Sequence, residues 1–542
     1  MMGIAIRRGS TQGVSEINEA VNVMDFFQTQ ILPELQDSNH ASRPVVKATS
    51  IKFVSVFRNQ FTRENLVQLM PLLIQHLGSP IVVVHTFAAY AIERILLAKE
   101  VVGATKQPKI SSADFMPFLE PLFTGLFAII DNQEWNENDY VMKCVMRALS
   151  KAGEDVVPVT QIVITKLTAA LGRVAKNPRN PQFNHYLFES IAVLVGSVCS
   201  KDPSATTTFE ALLFEPFNVI LQMDIAEFTP YVFQVLAQLL EFRPQQSGLG
   251  QSYTQLFQPL LTPDLWEKKG NVPALSRLIQ AYIKKAAGEL TSFINPILGV
   301  FQKLLSLKAT EANAFDLLAS VIVHFPQETM EPRLGTIFQL LLTKLQSSKT
   351  PKYTRLVTQF FALFVGKFSA QVFVDRLNTM QNGLAITLLV QVWNPRILKD
   401  PPVQRMEAKV QVIGLTKLLC EMPSLLADNN GQQIWCQTLA GLVTVLTSAT
   451  FKSGATEAEV DDDVLDTQYD AQFSKLASTG VKVEDLFPEV PDSSATFVQS
   501  IQRLSASHPG MLMPLIHQGL SSDPKLAAGL ESLFQVAGVR LS

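Results

Sequence analysis

Apolar residues recur along most of this chain with the spacing of an amphipathic helix. The clearest case is EFTPYVFQVLAQLLEF at Glu227–Phe242, where one face of a 3.6-residue helix carries Phe228, Val232, Val235, Leu236 and Leu239. A single helix of this size is marginally stable in water, so it must bury that face against a neighbour. The pattern therefore predicts a helix that is stable only when it packs against other helices.

The same spacing returns in segments 141–149, 275–283 and 334–345. Each is followed by a short polar or proline-containing break and then by a second apolar helix. Helix pairs that repeat about every 40–47 residues are typical of HEAT and armadillo arrays, in which stacking of the pairs supplies a continuous core. We therefore predict an all-α fold, a right-handed α-solenoid of HEAT-like antiparallel helix pairs.

Four regions are predicted from the pattern: a disordered lead-in at 1–13, the solenoid at 14–450, an acidic loop at 451–470 and a C-terminal helical cap at 471–542. The first predicted helix, Val14–Leu35, is already strongly apolar. Terminal repeats need one solvated outer face, and this helix offers none. We therefore hypothesise that a longer product extends upstream of Met1.

Composition agrees with a packed helical array. Of the 542 residues 47% are hydrophobic and 17% are charged, which is too apolar for a disordered chain. The net charge is −3 and no basic stripe runs along the chain, which argues against broad nucleic-acid binding. Uninterrupted apolar runs fall short of the ~18 residues of a membrane span, and no signal-peptide core is present. We predict a soluble intracellular protein without membrane insertion.

No catalytic constellation stands out. The seven histidines form no HExxH pairing, and the glycines form no phosphate-binding loop. His185, in FNHYLFES, is interpreted as bonding a neighbouring helix end. The cysteines lie in apolar helical patterns without metal or redox spacing and are interpreted as buried structural thiols; they are Cys144, Cys199, Cys420 and Cys436. The sequence predicts no enzyme, no cofactor and no metal.

Two stretches are candidate partner contacts. Lys176, Asn177 and Arg179 lie in a proline-rich turn between helices, where binding residues are common; Asn and Pro at such a place also simply set a turn. The second stretch, Glu457–Asp470, has seven acidic residues and no basic one, and it includes Glu457, Glu459, Asp461, Asp462 and Asp463. It is either a solvated loop or a docking strip for a basic partner.

Several stretches resemble a known protein family in the order and spacing of their residues. They include NPRNPQFNHYLFESI at Asn177–Ile191, EFTPYVFQVLAQLLE at Glu227–Glu241, LWEKKGNVPALSRLIQAY at Leu265–Tyr282 and VVHTFAAYAIERI at Val83–Ile95. From about Glu16 onward the chain resembles the C-terminal half, or slightly more, of the exportin-2 (CAS) family of importin-β-like receptors. Met1–Gly13 has no counterpart in that resemblance.

The resemblance implies a HEAT-repeat nuclear export receptor. Members of that family bind importin-α together with the GTP form of the GTPase Ran, pass the pore through contact with nuclear pore proteins, and release importin-α in the cytoplasm. It also implies shuttling between nucleus and cytoplasm. In that family the N-terminal repeats carry the main Ran contact, so we expect this chain alone to bind importin-α weakly and without dependence on Ran.

Other classes stay open. One is a HEAT scaffold for protein assemblies that has no role in transport, and another is a regulatory short form that competes for cargo without exporting it. An enzyme with a site split across repeats is a third. Binding to importin-α that responds to Ran separates the first two from an exporter, and an activity screen tests the third.

Overall fold

The computed structural model describes residues 2–10, 13–103, 105–135, 137–452, 475–480, 484–521 and 523–539. Over these residues α-helices dominate, as predicted. The helices of the first half are α1 (Met2–Ala5), α2 (Val23–Phe26), α3 (Leu32–Gln36), α4 (Pro44–Val56), α5 (Arg63–Leu77), α6 (Val82–Leu96), α7 (Ser112–Phe115), α8 (Leu119–Asp131), α9 (Asp139–Ala152), α10 (Thr160–Val174), α11 (Pro181–Cys199), α12 (Thr206–Gln222), α13 (Thr229–Phe242) and α14 (Gln251–Leu260).

The helices of the second half are α15 (Val272–Ala286), α16 (Ile294–Ser306), α17 (Glu311–His324), α18 (Gln327–Ser347), α19 (Pro351–Lys367), α20 (Ala370–Met380), α21 (Leu384–Leu388), α22 (Asn394–Lys399), α23 (Arg405–Glu421), α24 (Ser424–Ala427), α25 (Asn429–Thr447), α26 (Ala449–Lys452), α27 (Ser493–Ser507), α28 (Leu512–Leu520) and α29 (Pro524–Val536). Short 3₁₀ and π turns connect several of them, for example the π turn Leu389–Trp393 between α21 and α22.

The N-terminal residues differ from the sequence prediction. Strands β1 (Ile6–Ser10) and β2 (Gly13–Ile17) pair antiparallel, where a disordered lead-in was predicted. Val14 is fully buried, and the side chains of Asn59 and Gln60 donate hydrogen bonds to its carbonyl oxygen at 3.4 and 3.2 Å. This long-range anchoring orders the hairpin, so the helix predicted to start at Val14 starts only at α2.

A second hairpin interrupts the helices after α6. Strands β3 (Lys99–Val102) and β4 (Thr105–Pro108) pair antiparallel, with Lys99 opposite Pro108. The hairpin is solvent-facing, and Val101 is 71% exposed. Its lack of a buried face explains why the hydrophobic pattern does not reveal it.

The helices group into two compact units. Unit 1 comprises residues 1–257, 268–281 and 460–480, and unit 2 comprises residues 258–267, 282–459 and 481–542. Some residues within these ranges lie outside the described part of the chain. The domain boundaries predicted at 13, 450 and 470 stay a prediction.

Within unit 1 the helices form two layers. Helices α4, α6, α9, α11 and α13 pack side by side in chain order, and α5, α8, α10 and α12 form the second layer and pack against them. Within unit 2, α17, α19, α23 and α25 also pack side by side in chain order, with α16 and α18 packed against α17 and α19. Each helix contacts mainly its neighbours in the array, which is the packing of a repeat protein.

Helix α13 confirms the strongest sequence prediction. All five residues of its predicted apolar stripe are fully buried. The helix is also buried on its other faces, since Tyr231, Phe233 and Leu240 are at most 1% exposed. Burial all round follows from its position, because α11 and α12 and the segment around Ala477 pack against it. A single stripe therefore underestimates how much of this helix lies in the core.

Two helical stretches, 112–131 and 139–174, are long and apolar enough by length and composition to cross a membrane. Each is broken in the structure. A 3₁₀ turn containing Pro117 separates α7 from α8, and another containing Pro158 separates α9 from α10. Their apolar residues pack against other helices, as Leu122 and Leu126 of α8 and Leu167 of α10 illustrate, each fully buried. Each stretch therefore consists of shorter helices, and these buried apolar residues take part in the packing of the array.

Candidate partner-binding surfaces

The proline-rich turn between α10 and α11 holds the residues predicted as a partner contact. Lys176, Asn177 and Arg179 are all exposed. With its amide oxygen turned toward Arg179, Asn177 accepts hydrogen bonds from Nη2 at 2.8 Å and from Nε at 2.9 Å. Lys176 lines an apolar groove of about 530 Å³ between α10 and α12, which Met223 also lines. The turn is thus internally bonded at Arg179, and the partner role of the three residues stays a prediction.

The next residue of the turn, Asn180, has a structural role that the prediction did not assign. Its Oδ1 accepts a hydrogen bond from the Phe183 amide at 3.1 Å, which caps α11, and its Nδ2 donates to the Glu137 carbonyl at 3.2 Å. Pro181 occupies the first turn of the helix, where its missing N–H costs nothing. Asn180 and Pro181 therefore set the turn, which supports the alternative interpretation of this stretch.

An Asn180→Ala substitution is expected to lower the free energy of unfolding by about 1–2 kcal/mol, because it removes the helix cap and leaves the Glu137 carbonyl without this donor. Asn180→Ser, which can still cap, is expected to lose less. Lys176→Ala and Arg179→Ala should change stability by no more than about 0.5 kcal/mol, since both side chains are exposed. Urea denaturation of the four variants measures this. An Arg179→Ala loss equal to that of Asn180→Ala would contradict the assignment of the turn.

The acidic candidates lie outside the described residues. Glu457, Glu459, Asp461, Asp462 and Asp463 fall within 453–474, so their role stays as predicted from the sequence alone. The described chain ends before them at Lys452 and begins again at Lys475.

The described chain after this gap packs against α11 and α13 within unit 1. The amide of Leu476 donates to Gln234 Oε1 of α13 at 2.8 Å, and the amide of Ser478 donates to Glu189 Oε2 of α11 at 3.0 Å. Ala477 also donates its amide to Glu189. These amides lie at the start of a 3₁₀ turn at 477–479, where backbone N–H groups lack partners inside the turn. The buried carboxylate of Glu189 supplies the partner.

Glu189 is 1% exposed, and burial raises the pKa of its carboxyl. The hydrogen bonds from Ala477 and Ser478 act in the opposite direction by stabilising the carboxylate. These amides lie 288 and 289 positions further along the chain, so a buried carboxylate in α11 depends on a distant segment for its hydrogen bonds. Removing that segment would leave a buried acceptor unsatisfied, so the segment and Glu189 stabilise one another.

His185 lies one helical turn before Glu189. Its Nδ1 is 3.0 Å from Tyr231 Oη, and its Nε2 is 3.8 Å from Glu189 Oε1. Burial lowers the pKa of His185 to about 4, so the ring is neutral at pH 7 and the contact with Glu189 is not an ion pair at that pH. The sequence interpretation was a bond to a neighbouring helix end, whereas the partner in the structure is the side-chain hydroxyl of Tyr231 in α13.

A buried ion pair links two helices of the same layer. Arg147 of α9 and Glu93 of α6 are 2% and 1% exposed, and Nε lies 3.4 Å from Oε1. Arg94 also approaches Glu93, with Nε 3.2 Å from Oε2. Buried charges occur almost only when they are paired, and this pair joins α6 to α9.

The described residues contain no cluster of three or more His, Cys, Asp or Glu side chains able to hold a metal ion. Three of the four cysteines are buried and Cys420 is half-buried; all four are free thiols. Burial raises the pKa of Cys199 and of Cys420 to about 12, which keeps both thiols protonated and unreactive.

Sequence reasoning missed Glu189 and Gln234. The sequence does indicate that these two side chains are buried and polar, because Glu189 interrupts the apolar run YLFESIAVLV and Gln234 interrupts YVFQVLAQLL. Charged and amide side chains in an otherwise buried helix require partners. The pattern alone does not identify these partners, which are backbone amides of residues 476–478, after the acidic run.

The helix arrangement is that of the HEAT-repeat solenoids of nuclear transport receptors. A solved structure of the exportin Cse1 in its cargo-free, cytoplasmic state matches with a TM-score of 0.80 and 26% identity, covering 98% of this chain and 53% of that chain. Yeast importin-β matches with a TM-score of 0.56 at 12% identity, over 96% of this chain and 58% of its own. The predicted fold class is confirmed.

Sequence comparison identifies the family. A family model described as CAS/CSE protein, C-terminus matches residues 93–529, and one described as Cse1 matches residues 1–92. Exportin-2 of Xenopus laevis is 38% identical over 94% of this chain and 52% of its own length, and exportin-2 of Homo sapiens is 36% identical over 98% and 54%. The chain belongs to the CAS/CSE family, that of exportin-2, as the resemblance implied. It spans about half the length of the relatives it matches.

Proposed function

We propose that this chain acts in nuclear export as a transport receptor of the exportin-2 type, with importin-α as its cargo and the GTP form of Ran as the second ligand. The supporting observation is the 36–38% identity to exportin-2 over 94–98% of the chain. In this proposal the protein is a binding protein and not an enzyme. It shuttles between nucleus and cytoplasm and contacts nuclear pore proteins on the way.

Helical arrays suit such a function for a physical reason. Each repeat contacts mainly its neighbours, so small changes between successive helices add up along the array. Two ligands that both favour one curvature raise each other's affinity, and such a coupling is typically about 1–3 kcal/mol. Because this chain spans about half the length of its relatives, we expect it to show little of that coupling.

The contacts proposed for partners are the two sequence candidates. Lys176 and Arg179 would meet an acidic surface, and the acidic residues Glu457, Glu459, Asp461, Asp462 and Asp463 would meet a basic one. Exposed ion pairs contribute only about 0–1 kcal/mol each, so they select the partner and its register more than they add affinity. Most of the binding energy is therefore assigned to the helical surface itself.

The test is binding of the purified chain to importin-α, measured by size-exclusion chromatography and titration, with Ran in its GTP form, with Ran in its GDP form, and without Ran. We expect a weak complex with importin-α whose dissociation constant changes by less than about fivefold on adding the GTP form of Ran, since fivefold is the lower end of measured couplings. The charge candidates are tested in Lys176→Ala/Arg179→Ala, with Lys106→Ala on the exposed strand β4 as matched control.

The outcomes separate the alternatives. Absence of an importin-α complex at concentrations on the order of 100 μM, where even a weak specific contact is detected, would contradict the proposal. A complex that the GTP form of Ran tightens by more than fivefold would support the receptor and contradict the expected weak coupling. Loss of binding in the double variant, but not in Lys106→Ala, would support the proline-rich turn as a contact.

A further inference from the structure

A short irregular segment at 484–490 docks across the helices of unit 2. Its sequence is EDLFPEV, with three acidic residues around one phenylalanine. Phe487 is 1% exposed, Pro488 and Glu489 are exposed, and the other residues of the segment are half-buried, so the Phe487 ring is its deepest side chain. We call it the EDLF segment. It resembles a bound peptide more than a structural element, because it contains no helix or strand.

The receiving groove lies between α19 and α23. At its floor is Gly366, where a Cβ would lie 2.8 Å from Cε1 of Phe487 and closer still to Cζ. The hollow that accepts the ring thus exists because residue 366 is glycine. Helices α19 and α23 pack against each other directly, so the walls of the groove do not depend on the EDLF segment.

Two lysine side chains of the groove, Lys409 and Lys367, contact the segment. Lys409 of α23 is 7% exposed, and its Nζ lies 2.6 Å from Asp485 Oδ2 and 2.9 Å from the Phe487 carbonyl oxygen. Lys367 of α19 places Nζ 4.4 Å from the centre of the Phe487 ring and 3.0 Å from Glu489 Oε1. An ammonium over an aromatic face is itself attractive.

A further carboxylate of the segment is held by two basic groups. Glu484 Oε1 lies 2.8 Å from Lys284 Nζ and 3.8 Å from His324 Nε2. These contacts lower the pKa of Glu484 to about 2, although its burial acts in the opposite direction. Each acidic side chain of the segment therefore faces at least one cation from α15, α17, α19 or α23.

We propose that the groove between α19 and α23 is a docking site for an acidic peptide containing phenylalanine, and that the EDLF segment occupies it in cis. The chemistry of the groove supports this assignment. The ammonium of Lys409 faces Asp485 Oδ2 and the Phe487 carbonyl oxygen, and the space above Gly366 takes the Phe487 ring. These groups match an acidic residue followed two positions later by an aromatic ring.

Because the EDLF segment is part of the same chain as the groove, any peptide that binds the groove in trans must compete with it. A tethered segment acts at an effective concentration that reaches the millimolar range for short linkers, so a peptide supplied in trans competes poorly while the segment is docked. The described segment is held by one buried ring, by the hydrogen bond from Lys409 to the Phe487 carbonyl oxygen, and by ion pairs that are partly solvent-exposed. A partner segment that makes the same contacts over a larger surface could therefore displace it, and the groove would then serve as a regulated binding site.

The first test is hydrogen exchange on the full chain carrying Gly366→Ala. The added methyl group overlaps the docked ring, so amides of residues 485–490 are expected to exchange at least tenfold faster than in the unsubstituted chain. Gly335→Ala on α18 is the matched control, because its Cβ would meet nothing within 4 Å. It should leave exchange of the segment unchanged. Protection of 485–490 that is equal in all three chains would overturn cis occupancy.

The second test uses a fluorescein-labelled peptide with the sequence of residues 484–491. Its affinity is expected to be at least tenfold higher for the full chain carrying Asp485→Asn and Phe487→Ala than for the unsubstituted chain. Adding Gly366→Ala to that variant should abolish the gain, and a peptide with Phe487 replaced by alanine should bind neither chain. Hydrogen exchange of α19 and α23 confirms that each variant is folded. Equal affinity for all chains, or equal affinity of both peptides, would overturn the proposal.

Discussion

A Phe338→Ala chain is expected to lose about 3–5 kcal/mol of local stability around α18 and α19. Phe338 is fully buried and lies at the centre of an aromatic cluster in unit 2. Its ring centre is 5.1 Å from that of Phe364, 5.7 Å from that of Phe361 and 6.1 Å from that of Phe373. Truncation to alanine removes the buried apolar area and leaves a cavity that rigid neighbouring rings fill poorly.

Native-state hydrogen exchange of the amides in α18 and α19 measures this loss. The ring of Trp393 lies 6.1 Å from that of Phe373, so tryptophan fluorescence gives a second readout of the same cluster. Phe338→Leu keeps most of the volume and is expected to cost only about 1 kcal/mol. A Phe338→Ala loss as small as that of the leucine control would show that the cluster collapses around the missing ring, contrary to this prediction.

The second large effect is expected at the buried ion pair of unit 1. Arg147→Met should destabilise the packing of α6 on α9 by about 3 kcal/mol, because it takes a cation away from the buried carboxylate of Glu93. The expected loss is at the low end for a broken buried pair because Arg94 still lies 3.2 Å from Glu93. Hydrogen exchange in α6 and α9, together with urea denaturation, measures it.

The matched control is the double variant Glu93→Gln/Arg147→Met. It removes both charges together, so most of the stability lost in Arg147→Met is expected to return. Glu93→Gln alone should also destabilise, since it leaves the buried guanidinium without this carboxylate. Additive losses in the double variant would mean that the two side chains act independently and that their contact does not specify the packing of the two helices.

The sequence predicted much of the fold because the relevant signal is local. A helix that buries one face must place apolar residues every three to four positions, whatever its neighbours are. The predicted helix at Glu227–Phe242 is therefore found within two residues, as α13 at Thr229–Phe242. The prediction was wrong where long-range contacts decide the local structure. The hairpin β1–β2, for instance, is held in part by Asn59 and Gln60.

The candidate surfaces were predictable to a smaller degree. The sequence singled out Lys176, Asn177 and Arg179, whose exposure the structure confirms, but it assigned no role to Asn180, which caps α11. It also indicated the acidic run within 457–470, but not the docking of residues 476–478 on α11 and α13. The reason is that exposure and turn formation depend on neighbouring residues, whereas a docking contact depends on which distant surface is complementary.

The sequence by itself determined the all-helical repeat fold, the apolar core face of each helix and, through the residue order of several segments, membership of the CAS/CSE family. Only the tertiary structure decided which distant side chains meet. Glu189 receives the amides of a turn 288 positions later, and Lys367 meets Glu489 after 122 positions. Such contacts depend on how helices stack and where the chain returns to them, and periodicity within one helix carries no information about either.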